Sequence, residues 1–491
     1  MTSSNYDTII IGAGHNGLVA AAYLAKQGKK VLVLERRAIV GGSVVTESFG
    51  DGFTVDSVFT GGSLRPDIVK DLKLPLPEVK EKTAFISLQP DGNHLTLDAE
   101  SIKRISEKDA ARFPEFVRFM DKCASILDTA YATIMPRLPM NFGIREGYGL
   151  LELGLELKLA GRKDMLNFIR ALPMTAQELV EEYFESEIVK AAICAVAIHG
   201  STLGPMGAGT GYTLIHNWMN RGGLANVNVG KAGEITQALA NAVKAFGGEI
   251  RTESEVKSIK VESQIAKGVI LANGEEILAN QILSSADPKH TLLKLVGAQD
   301  LPPEFVWHTQ SIKMRGSVAK VHLQTNGNHG IPEGTLVVAP SIKYLEKAYD
   351  ATKYGEISEK PYLEVTTSGN TVSIHFQFAP YSLRNSEWKV ESAKVAELAI
   401  KTLEDYFPAL HASRITHHII TPQDLETTYG LTEGDLNHGQ LMLDQFLFMR
   451  PIPGWSNHKT PTDNLYFCGS GVHGGGGVSG AAGRNAAKSL K

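Results

Sequence analysis

Gly12, Gly14 and Gly17 follow an apolar run, Thr8 to Ile11, in a G-x-G-x-x-G array. That spacing suits a pyrophosphate. Gly12 permits a tight turn out of the strand, and Gly14 lets a phosphate approach the backbone. Gly17 lets the next helix pack close to the sheet. The free N–H groups and positive end of that helix face the anion, with His15 and Asn16 in the same turn. Further on, Glu35 closes a second apolar run, Val31 to Leu34, where an acid can accept hydrogen bonds from a ribose. A turn that binds nothing needs only glycines; here strand, turn, helix, strand and acid all occur in order.

A second glycine array lies hundreds of residues away: Gly469, Ser470 and Gly471, then His473, Gly474 to Gly477 and Val478. An apolar strand precedes it and a helix follows. One nucleotide does not need two such cradles, but FAD is long enough to use both. His473 is the foremost catalytic candidate, able to polarise a flavin or donate to a substrate. A histidine bonded to the backbone of a glycine-rich turn explains it equally well. His199 reads as structural, and Tyr212, His216 and Trp218 as packing or cavity-lining groups. His417-His418 lacks a third ligand, so no metal site is expected. Arg450 suits an anion or, more simply, an interdomain salt bridge.

These residues require a doubly wound α/β unit to hold them. The small residues Ala20, Ala21 and Ala25 suit a helix lying close on a sheet, ending near Gly28. A helix from Lys231 stops at Gly247-Gly248. Strand patterns follow at Glu249 to Thr252, Val256 to Val261 and Ala266 to Leu271, with a hairpin turn at Asn273-Gly274. Gln281 to Ser284 is another strand, ending at Ala286-Asp287-Pro288. Further strands are expected at Ser317 to Leu323, Thr371 to Phe378 and Leu465 to Cys468. Helices are expected over Ser386 to Tyr406 and Val478 to Leu490, and through most of Asp98 to Phe184. Leu151, 153, 155, 157 and 159 alternate as in a strand, yet their Leu, Glu and Lys composition favours a helix. Both readings stand. Gly207-x-Gly209-x-Gly211 lacks a preceding strand and reads as a loop, so no second dinucleotide domain is expected.

The 491 residues, 43% hydrophobic and 21% charged, suffice for a large core. A net charge of -4 without basic runs argues against a nucleic-acid partner. Cys123, Cys194 and Cys468 form no CxxC pair, which argues against a flavin-dithiol reductase and suggests a reducing, cytoplasmic setting. No signal peptide or transmembrane run of about 20 apolar residues is expected. A peripheral membrane contact stays open.

The chain resembles the phytoene desaturase and carotenoid isomerase group of FAD-dependent oxidoreductases, and within it the pyridine nucleotide-disulphide oxidoreductase domain proteins. The resemblance rests on Gly12 to Ala21, Glu35-Arg36-Arg37 with Gly41-Gly42, and Cys468 to Val478. It departs at Gly474, where many relatives carry proline, and at Ser470, where related amine oxidases carry an acid. It implies a Rossmann-like FAD-binding domain (1–75, 226–300 and 440–491) interleaved with a mixed-sheet and helical substrate domain (76–225 and 301–439). It implies that Gly12, Gly14, His15, Asn16 and Gly17 line the pyrophosphate, and that Glu35, Arg36, Arg37, Val256 and Ala286 surround the adenosine. Gly41, Gly42, Ser43, Gly61, Gly62, Ser63, Gly469, Ser470 and Val478 would then approach the ribityl chain and ring. The activity implied is desaturation or isomerisation of an apolar, polyene or isoprenoid-like substrate. The alternatives are a flavin amine or small-molecule oxidase using oxygen, and a non-catalytic flavin protein.

Overall fold

A computed structural model describes residues 6–50, 52–60, 62–77, 83–136, 144–159, 161–225 and 231–490. The first strand, Tyr6–Ile11, lies between Val31–Leu34 and Glu276–Ser284, all parallel. Glu249–Arg251 extends the sheet on one side. Leu465–Phe467 pairs in parallel with the last residues of Glu276–Ser284 on the other. Ile11, Leu34, Ser284 and Phe467 stand level across the sheet. The turns after all four therefore open on one edge, the carboxyl ends of the strands, where doubly wound sheets bind ligands. Two chain ends more than 450 residues apart in sequence meet there because their strands flank a common neighbour.

Glu276–Ser284 is longer than its apolar half, Gln281–Ser284, suggests. Its first residues pair antiparallel with Ile265–Leu271 across the Asn273-Gly274 turn, and Val256–Glu262 follows. One strand thus serves two sheets, and only the fully buried half reads as apolar.

Helix His15–Lys26 packs between Ala232–Ala245 and the C-terminal helix Ala481–Ser489. Glycine sets these distances: a Cβ on Gly17 would lie 2.3 Å from the Gly12 carbonyl oxygen, and one on Gly483 2.1 Å from that of Asn16. Leu18 and Leu24 are buried beneath, each contributing about 1.5–3 kcal/mol by leaving water. The C-terminal helix begins after Val478, at Ala481, because Gly480 takes a left-handed φ of 76°.

The second sheet runs Arg414–Ile420, Val318–Thr325, Thr371–Gln377, Tyr362–Ser368, Thr335–Val338, Phe85–Ser87 and Leu95–Thr96. Helix Trp388–Glu404 covers one face. Helices Glu107–Ala132, Glu187–Ile198 and Thr210–Arg221 form a further apolar core beside it. The Gly207–Gly211 segment is a loop entering the last of these, with Gly209 as its N-cap. The alternating leucines fall on a helix, Ile144–Leu159, with Leu151, Leu155 and Leu159 exposed. Helix propensity wins there because no neighbouring strand pairs with the segment. Among the described residues no helix is long and apolar enough to cross a membrane.

Candidate functional site

The carboxyl edge of the first sheet lines an open cavity. Gly12, Gly14, His15 and Asn16 form one wall. Helix His15–Lys26 starts there with no side-chain cap and no acid in its first turn, leaving its N–H groups to the cavity. A Cβ on Gly14 would meet nothing within 4 Å, so it would stand in the open space. Glu35 is buried; its Oε2 accepts the Ala13 N–H at 2.8 Å and its Oε1 the Arg37 N–H at 2.9 Å. That leaves the carboxylate held rigidly at the cavity wall with lone pairs to spare.

Segment 427–431 covers the same end. Arg36 Nη2 donates to the Thr427 and Thr428 carbonyls at 3.0 and 2.9 Å, and Arg37 lies over the Tyr429 ring, 4.8 Å from its centre. The Tyr429 hydroxyl donates to Glu47 at 2.7 Å. Tyr429, Gly430, His290 and His438 line the cavity without having been expected. They come from segments far from either glycine array, and no local periodicity marks them.

Asn16 joins the two glycine arrays. Its amide donates to Ser470 Oγ at 3.0 Å and to His15 Nε2 at 3.0 Å, while its Oδ1 accepts the Gly483 N–H. His15 in turn hydrogen-bonds the Gly477 backbone, and burial drives its pKa down to about 4. Arg450 is buried and donates to the carbonyls of Asn437, Gly439 and Ser470 at 2.6, 3.2 and 2.9 Å. It forms neither the salt bridge nor the anion site expected of it; it pins the second glycine turn to loop 437–439.

Of the expected cofactor residues, Gly12, Gly14, His15, Asn16, Glu35, Arg36, Arg37, Gly41, Gly42, Ser43, Val256, Ala286, Gly469 and Ser470 all line this cavity. Gly17 lies beneath it as a packing residue. Gly62 and Val478 line a second cavity, and Ser63 a third, surface one. Gly61 lies outside the described residues. His473 takes the backbone-bonded place that was also expected of it. It lines neither of the first two cavities, and its Nε2 donates to the carbonyls of Ala130 and Thr133 at 2.9 and 3.0 Å. It braces the glycine loop against helix Glu107–Ala132.

The second cavity has an apolar wall of Val58, Phe59, Leu436 and Val478. Opposite stand Lys320 and His375, cross-strand partners on Val318–Thr325 and Thr371–Gln377. Lys320 is 3% exposed and makes no hydrogen bond or ion pair among the described residues; burial pulls its pKa down to about 8. His375 is pinned by Gln377. That amide donates to the Ile198 and Ser201 carbonyls and accepts the Gly200 N–H, which fixes its oxygen toward His375 Nε2 at 2.8 Å. Nε2 therefore carries the proton, and the buried Nδ1 is left as an unpartnered acceptor. Burial, then His199 and Lys320, hold this imidazole well below its ordinary pKa, so it is neutral. His199 also lines the cavity, stacked on His375 at 4.0 Å. Behind them Arg221 Nη2 contacts both oxygens of Glu364 at 3.0 and 2.8 Å.

Tyr212 and Trp218 pack: the Tyr212 hydroxyl bonds Tyr131 at 2.7 Å and Trp218 donates to Asp121 at 2.9 Å. His418 stacks on Phe49, and no metal-binding cluster occurs among the described residues. All three cysteines are free and buried, with burial pushing Cys123 up to about 12, so they are inert.

The sequence matches the family of flavin containing amine oxidoreductases over residues 17–490. It is 32% identical to rat pyridine nucleotide-disulfide oxidoreductase domain-containing protein 2, covering 98% of this chain and 92% of that protein. It is 26% identical to the lycopene-forming phytoene desaturase of Pantoea ananas, covering 97% and 96%. Its fold is similar to that of cyclohexylamine oxidase from Brevibacterium oxydans, with a TM-score of 0.59, 16% identity, and coverage of 99% and 98%. The chain belongs to the flavin containing amine oxidoreductase family and is an FAD-dependent oxidoreductase. The site fits FAD: a cavity lined by both glycine arrays, an uncapped helix N-terminus, a Cβ-free approach at Gly14 and a buried acid at Glu35.

Proposed function

We propose that this flavin containing amine oxidoreductase oxidises a compact polar organic molecule, at a carbon bearing oxygen or nitrogen, in the cavity lined by Lys320 and His375. The observation that carries this reading is that pair: a buried ammonium beside a neutral imidazole whose Nδ1 is free to take a proton. A polyene channel would need neither.

In this reading residues 1–75, 226–300 and 440–491 hold FAD, and 76–225 and 301–439 shape the substrate cavity. Gly12, Gly14 and the helix N-terminus take the pyrophosphate, Glu35 the ribose, and Arg36 with Tyr429 the adenine end. Gly41 to Ser43, Gly469 and Ser470 take the ribityl chain, and Gly62 and Val478 meet the ring. FAD, when bound, supplies the two-electron acceptor for hydrogen leaving the substrate carbon. The protein's part is to position and to manage the proton. His375 Nδ1 receives the proton of the substrate O–H or N–H as the C–H bond breaks, a role worth about 10²–10⁴-fold in rate. Lys320 holds the substrate's electron-rich end, and Phe59 with Leu436 excludes water. The phytoene desaturase likeness keeps C–C desaturation as the rival.

The test is anaerobic bleaching of the FAD-loaded protein, with hydrogen peroxide release in air, over a panel of alcohols, hydroxy acids, amines and polyenes. Bleaching and peroxide with a compact polar compound are expected. Bleaching by polyenes alone would overturn the reading.

A further inference from the structure

Resting on that reading, we infer that the molecule entering the second cavity is an organic acid: its carboxylate meets the Lys320 ammonium, and a small apolar body packs on Val58, Phe59 and Leu436. The lining holds five groups able to carry positive charge, Lys320, Arg221, His199, His216 and His375, and no carboxylate. Glu364, the nearest acid, is 2% exposed and stands outside the lining, with Arg221 on both its oxygens. Arg221 balances its charge, and the carboxylate's field also reaches Lys320 and His199, so Lys320, Arg221 and Glu364 together carry one net positive charge. His216 and His375 are buried, His199 is 22% exposed at its side chain, and all three are held below the ordinary histidine pKa, so they add lone pairs and N–H groups without further charge.

A buried cation is retained at a cost unless something neutralises it. An ammonium-bearing substrate would set a second cation beside Lys320 with no carboxylate to receive it. A neutral hydrocarbon would leave the lysine unsatisfied. A carboxylate both neutralises Lys320 and accepts its N–H groups, and the remaining wall is apolar enough to hold an aliphatic or aromatic body.

The experiment uses the FAD-loaded protein and three inert isosteres: benzoate, benzamide and benzylamine. Binding is read from the perturbation of the flavin absorption spectrum, so no turnover is needed. Benzoate is expected to bind at least about tenfold more tightly than either of the others. Lys320→Met is expected to weaken benzoate at least about thirtyfold while leaving benzamide within about threefold. Equal or tighter binding of benzylamine overturns the inference, as does an equal effect of the variant on benzoate and benzamide, or no spectral change with any probe. The comparison among probes on the unaltered protein stands even if the variant fails to fold. Turnover of a neutral alcohol with no benzoate preference would sink this inference and leave the oxidase reading intact; a benzoate preference with turnover of polyenes alone would do the reverse.

Discussion

Replacing Arg221 by Met strands Glu364. The guanidinium spans helix Thr210–Arg221 and strand Tyr362–Ser368, with side chains 5% and 2% exposed. Burial acts to raise the Glu364 pKa, but Arg221 overrides it and holds the carboxyl well below the ordinary 4.5. Breaking a buried pair by removing one partner costs about 3–5 kcal/mol. An unfolding entropy of about 2.1 cal/mol/K per residue over 491 residues gives roughly 1 kcal/mol/K, so Tm should fall by about 3–5 °C. In the wild type the pair's contribution is complete above 4.5 and fades only as pH falls through the depressed folded value. In Arg221→Met the largest force opposing burial is gone, with His199 and His375 still acting against it, so the Glu364 pKa rises and the deficit shrinks as pH falls from about 8 to about 5. Adding Glu364→Leu should recover most of the loss. The assay is differential scanning calorimetry of the FAD-loaded variants at both pH values. A single variant melting within about 1 °C of wild type, or a deficit independent of pH, would refute this account of the pair.

Other outcomes are equally specific. Gly14 has a φ of -66°, so Gly14→Val meets no backbone strain; it should leave folding intact and abolish retained flavin absorbance by filling the pyrophosphate approach. His473→Gln should lower Tm by roughly 1 °C, on about 0.5–1.5 kcal/mol for the hydrogen bonds lost, since the Thr133 N–H and the Asn485 amide still donate to the same two carbonyls, without moving the flavin spectrum. Lys320→Met should raise Tm at pH 7 by about 3 °C, because the fall of its pKa from 10.5 to about 8 puts the cost of charging it on the order of 3 kcal/mol. That cost is complete below about 8 and gone above 10.5, so calorimetry should show the gain vanishing as pH rises through that window. His375→Gln should cut kcat by at least about a hundredfold on whichever panel compound bleaches the flavin.

The cofactor cavity was largely legible because its makers obey local rules. Gly12, Gly14 and Glu35 each sit at the end of an apolar strand, and a fixed spacing gives each a fixed place on the sheet edge. Tyr429, His290 and His438 were not legible, since loops deliver them from segments with no periodic pattern. His473 misled because a glycine-rich turn beside a flavin needs bracing as much as it needs chemistry. Arg450 misled because the Nη groups of a buried arginine can be held by carbonyls at the end of loops instead of by a carboxylate.

The second cavity is where sequence pattern and structure part most informatively. Strands Val318–Thr325, Tyr362–Ser368 and Thr371–Gln377 are buried on both faces, so their alternation should end in apolar residues throughout. Instead Lys320, Glu364, His375 and Gln377 occupy neighbouring inward positions, set level by strand pairing. Packing alone selects against every one of them, since each must find a partner out of water. Gln377, Glu364 and Arg221 find theirs in one another's surroundings. The His375 Nδ1 does not, and Lys320 makes no hydrogen bond or ion pair among the described residues. A fold that retains two unsatisfied groups side by side, in a cavity reached by the second glycine array, keeps them for a ligand. That is why stabilising Lys320→Met should also be the substitution most damaging to binding.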